Sequence, residues 1–158
     1  MEQKRIAIIR IKGEHNIRRE INDTMQMLRL YNKFNCSIIK NSPPYIGMLN
    51  SIKEYVTWGE LNEETFKVLL TNRGRLAGNK KLEETYLKDK TKLSFNDFAN
   101  EFFTFKKELK DIPGLKLYFR LKPPTKGFER KGTKVPFSQG GALGYRKEKI
   151  NDLIKKML

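Results

Sequence analysis

The sequence predicts an α+β protein: a small β-α-β-α-β core with two helices on one face of the sheet, then a helical extension, then a long basic loop. Three observations carry this. The isoleucine-rich run RIAIIRI at 5–11 reads as a buried strand. Two further short runs, NCSIIK at 35–40 and EYVTW at 54–58, read as strands with helical text between them. Residues 122–146, KPPTKGFERKGTKVPFSQGGALGYR, carry neither a helix nor a strand period.

Gly13 and Glu14 end the first strand. Asn16 stands as an N-cap, and Ile17, Ile21, Met25 and Leu28 then recur at helical spacing, which predicts a helix over 17–31. Arg18 and Arg19 fall in its first turn, where the helix dipole disfavours cations, so another role is expected of them. After the second strand, Ser42 can cap and Pro43 pre-organises a short helix carrying Ile46, Leu49 and Ile52.

The middle of the chain is helical. Asn62 reads as an N-cap, with Leu61 packing on Phe66 as a hydrophobic staple. Gly74 reads as the C′ residue that ends this helix. Ser94 and Asp97 open the next one, and Phe95, Phe98, Phe102, Phe105 and Leu109 form a core stripe. LKLYFRLK, after the turn at Pro113-Gly114, alternates as a strand with one dry and one basic face. Following the loop, Ile150, Leu153, Ile154 and Met157 share one face of a closing helix. These changes of pattern divide the chain into a core domain at 1–58, a helical extension at 59–115 and a basic C-terminal part at 116–158.

The net charge is +15 over 158 residues. Solubility alone does not need that much self-repulsion, and a polyanion would relieve it. The excess is local: the three segments carry +5, +1 and +9. A single cysteine, Cys36, excludes an internal disulfide and reads as a small buried residue. No metal site and no cofactor are expected, because one His and one Cys cannot build a zinc centre without several carboxylates. No secretory signal or membrane span is legible, so a cytoplasmic protein with no membrane partner is expected.

The loop matches neither a P-loop nor a dinucleotide fingerprint, although backbone amides in GGALG could form an anion nest. No catalytic constellation appears, and no enzyme is expected. Read as a binding element, the loop makes sense. It holds five glycines, three prolines and six cations against the single acid Glu129. Glycines allow close backbone approach, cations suit phosphates, and Phe128, Phe137 and Tyr145 could stack on splayed bases. The expectation is that the loop takes its shape from RNA and not from the protein core.

SPPYIGMLNSI within the β-α-β-α-β start, TNRGRLAG in mid-chain and FRLKPPTKGFERKGTKVPFSQGGALGYRKEKINDLIKKM at the end together resemble the large-subunit ribosomal protein family called L-thirty, whose eukaryotic relatives are called L-seven. The resemblance covers essentially the whole chain. It begins at the first strand and keeps the middle and C-terminal parts, a pattern that resembles archaeal members. The resemblance implies a somewhat ferredoxin-like core. It implies contact with large-subunit ribosomal RNA and, in the longer forms, with 5S RNA, beside neighbouring large-subunit ribosomal proteins.

Carried onto this chain, three RNA-binding regions are implied. The first is Arg10, Lys12, Arg18 and Arg19; the second is Arg73 and Arg75. The third runs through Arg120, Lys122, Lys126, Phe128, Arg130, Lys131, Lys134 and Arg146, with Glu129 set apart as an acid that should not touch phosphate. The alternatives are a free-standing RNA chaperone or non-specific nucleic-acid-binding protein and, third, a small basic enzyme.

Overall fold

The computed structural model describes residues 4–158; residues 1–3 of the N-terminal segment lie outside the described residues. Three strands, β1 (Arg5–Arg10), β2 (Asn35–Lys40) and β3 (Val56–Glu60), alternate with helices α1 (Arg19–Met27) and α2 (Pro43–Ser51). Then come α3 (Glu63–Arg73), α4 (Glu84–Thr91), α5 (Phe95–Phe103), the two-residue strands β4 (Phe119–Arg120) and β5 (Gly144–Tyr145), and α6 (Ile150–Met157). The sheet order is β4-β2-β1-β3-β5. All neighbours are antiparallel except β3 and β5, which are parallel.

β1 is central, and every one of its residues is buried. Its alternation sorts two cores. Ile6 and Ile8 pack with Met25, Leu28, Leu49 and Ile52, so α1 and α2 cover one face, as the sequence predicts. Ala7 and Ile9 join Phe66, Phe98, Phe102, Ile150 and Ile154, so α3, α5 and α6 cover the other. A strand between two helical layers must be apolar on both sides, which is why RIAIIRI shows no clean alternation.

Several boundaries differ from the sequence reading, each for a local reason. α1 begins at Arg19 with Arg18 as its N-cap, while Asn16 sits in the turn before it with φ of 55°. Its end is set by Arg29, at φ 59°, which turns the chain back toward β2. Ser42 occupies the N-cap of α2 without a side-chain capping bond. β3 starts two residues late because Tyr55 is spent on the preceding turn, where its carbonyl accepts from the Ile11 and Lys12 amides. LKLYFRLK yields only β4. Its first half is diverted, with Leu115 bridging Leu76 and the Lys116 amide donating to the Arg75 carbonyl.

Asn62 caps α3 as read, accepting from the Thr65 amide at 2.8 Å. Leu61 and Phe66 lie together in the core beside it. Gly74 ends α3 one place earlier than the C′ position, as its C-cap, with φ of −59°. The reason for glycine is space: a Cβ there would stand 2.5 Å from the Leu70 carbonyl oxygen and 3.1 Å from Leu82 Cβ.

Candidate nucleic-acid interface

The loop at 122–146 has a shape set by the protein, contrary to the expectation that RNA supplies it. The Lys122 and Thr125 amides donate to the Met157 and Lys156 carbonyls, fastening the first limb to the end of α6. The two limbs bond to each other through Lys131 N to Gly140 O (3.2 Å) and Ala142 N to Gly132 O (3.1 Å). β5 then adds the second limb to the sheet edge at Thr57 and Trp58. Gly141 permits the crossing, since a Cβ would lie 1.9 Å from the Val135 carbonyl oxygen. The loop is a folded appendage with many backbone bonds of its own, which an aperiodic sequence does not reveal.

Two of the arginines assigned to RNA are buried and committed elsewhere. Arg10 is 1% exposed. Its Nε donates to the Lys12 carbonyl and its Nη1 to the carbonyls of Leu30 and Tyr31. It therefore pins the chain leaving α1 onto β1. Arg146 is 2% exposed and sits among Thr57, Glu129 and the Ala142 carbonyl. Burial pushes both guanidinium pKa values down; Glu14 opposes this for Arg10, and Glu129 does so for Arg146. Neither presents its guanidinium at the surface of this fold. Phe128 is also not a free stacking platform: its ring lies 6.1 Å from Phe34 and packs against Ile11, Ala142 and Leu143. It anchors the loop.

The remaining cations face outward or sit at the rim. Arg18, Arg19, Arg120, Lys122, Lys126, Arg130, Lys131 and Lys134 are exposed. Arg19 lies 3.8 Å from Asp23. Lys12 is half-buried, with Nζ 5.5 Å from the centre of the Tyr55 ring. Arg73 is half-buried and donates from Nη2 to the Leu158 carbonyl, which places it at the last turn of α6 near the start of the loop. Arg75 is half-buried on a separate arm, where its backbone bridges Lys81.

The fold brings the first region and the loop together. Lys12, Lys53 and Lys134 line one open cleft of about 630 Å³, floored by Pro136, Leu143 and Gly144 and carrying Glu54 as its acid. A second cleft of about 300 Å³ gathers Lys126 with Lys149 and Lys156 from the C-terminal helical region, beside Phe128 and Phe137 and with Glu129 and Asp152 as its acids. Sequence reading missed Lys53, Lys149 and Lys156. They sit on the polar sides of turns and helices, where lysine is ordinary, and only tertiary proximity distinguishes them.

Among the described residues no group of three or more His, Cys, Asp or Glu side chains could hold a metal ion. Among them, too, no helix is long and apolar enough to cross a membrane.

Residues 6–56, from β1 to the first residue of β3, match the family model described as Ribosomal protein L30p/L7e. The chain is 45% identical to the large ribosomal subunit protein uL30 of Methanococcus maripaludis over 152 residues, 96% of this chain and 98% of that one. It is 46% identical to the protein of the same name from Methanopyrus kandleri over 149 residues, 94% and 100% of the two chains. With that of Nanoarchaeum equitans the identity is 44% over 152 residues, 96% and 97% of the two. The similarity to these relatives extends beyond the core through the loop, and the chain belongs to the ribosomal protein L30p/L7e family.

Proposed function

We propose that this protein is a structural constituent of the large ribosomal subunit and binds large-subunit ribosomal RNA through its basic surface. The observation that carries the RNA interface is the cleft in which Lys12 and Lys53 from the core meet Lys134 from the loop. Cations from distant parts of the chain converge there despite mutual repulsion, and a phosphate backbone offsets that repulsion. The contact set is Lys12, Arg18, Arg19, Arg73, Arg75, Arg120, Lys122, Lys126, Arg130, Lys131 and Lys134, joined by Lys53, Lys149 and Lys156. The protein acts by shape and charge and catalyses no reaction. 5S RNA is a second RNA contact, and neighbouring large-subunit proteins complete its surroundings.

Binding of the purified protein to large-subunit ribosomal RNA, 5S RNA and an unrelated RNA of equal length, at low and high salt, tests this. Preference for the ribosomal RNAs that persists at high salt is the expected result. Equal binding that vanishes with salt would instead favour a generic polyanion binder.

A further inference from the structure

We propose that Glu129, the one acid of the loop, is a positioning residue for RNA binding: through the buried Arg146 it holds the cationic stretch 126–134 in its binding shape. The inference rests on the RNA-binding reading above. Glu129 stands directly before Arg130 and Lys131, where an acid opposes any phosphate contact. Its carboxylate instead turns inward. Oε1 accepts from Arg146 Nη1 at 2.6 Å and Oε2 from Nη2 at 3.5 Å. The Arg146 side chain is 1% exposed and that of Glu129 27%.

One guanidinium thereby ties three places. Its Nη1 holds Glu129 on the first limb, its Nη2 donates to the Ala142 carbonyl on the second limb, and its Nε donates to Thr57 Oγ1 on β3 at 2.7 Å. Thr57 Oγ1 in turn donates to the Gly144 carbonyl at 2.8 Å, and the Phe137 ring lies 4.8 Å from the guanidinium carbon. Removing Glu129 leaves a buried cation without its counter-ion, and such a charge must find water or move. Either movement loosens both limbs.

The sign of the effect discriminates. Charge alone says that Glu129→Gln, which removes a negative charge from a phosphate-facing loop, tightens RNA binding. The clamp says that it weakens binding. We expect the full-length E129Q protein to bind large-subunit ribosomal RNA about tenfold more weakly, as when a tenth of the molecules keep the competent loop. Its salt slope should match the wild type, because no phosphate contact is lost. Glu129→Asp, which keeps the charge, should recover most of the affinity. In free E129Q, amide exchange should speed up at Lys131 and Ala142 and stay unchanged in β1, which separates a loosened loop from general unfolding. E129Q binding as tightly as wild type, or tighter, would overturn the clamp while leaving the RNA-binding reading intact. Wild-type protein showing no preference for ribosomal RNA would overturn both.

Discussion

Arg5, Arg10 and Arg146 are the buried arginines among the described residues; carbonyls hold Arg5 and Arg10, and a carbonyl, a hydroxyl and a carboxylate hold Arg146. Taking a guanidinium out of water costs several kcal/mol, so every such residue needs partners in fixed directions. That requirement makes them framework residues, and it separates them from exposed cations of the same chemical type. Cys36 is the opposite case, a polar atom with an apolar role. It is fully buried against Ala7, Ile9 and Phe119, and burial pushes its thiol pKa up to about 12. The thiolate is the reactive form, so the native protein should resist iodoacetamide at pH 8 and react only after denaturation. Rapid alkylation of the native protein would contradict this packing.

At the scale of elements, Arg5 joins β1 to the helical extension. Its Nε and Nη2 donate to the Phe102 carbonyl at the end of α5, Nη2 also to the Lys107 carbonyl, and its guanidinium carbon lies 3.8 Å and 4.2 Å from the Phe102 and Phe105 ring centres. An ion pair between Lys40 and Glu108 closes the same junction from outside. Arg5→Ala should lower unfolding free energy in urea by about 3 kcal/mol, because it strands buried carbonyls and opens a void beside two rings. A loss below about 0.5 kcal/mol would show that the junction is not structural. Much of this layer was legible in the sequence. The core strands, the two helices on one face and the Phe98–Phe102 stripe follow from periodicity, which is a local property. The role of Arg5 was not legible, since an arginine at the start of an apolar strand carries no sign of the carbonyl 97 residues away. For the same reason Arg10 and Arg146 read as RNA contacts. β5 was missed because a two-residue parallel edge has no period at all.

At the scale of the molecule, the sheet serves as a common base for two kinds of surface. The core and the helical extension cover its faces, and the folded loop covers the outer side of β3. The charge is arranged accordingly: +1 over residues 59–115 and +9 over 116–158. The sequence revealed this partition and the loop's cations. It could not reveal that Lys12 and Lys134 share a cleft, which depends on the loop being folded by Arg146, Phe128 and the end of α6. In the proposed function, exposed cations gathered by this fold neutralise RNA phosphates while buried arginines hold the frame. The most direct test is the salt dependence of binding to large-subunit ribosomal RNA for the wild type and for a Lys12→Ala, Lys134→Ala double variant. With two phosphate contacts removed, the slope of log affinity against log salt should become shallower by about 2. An unchanged slope would contradict the claim, because it would mean that the cleft does not touch the RNA backbone.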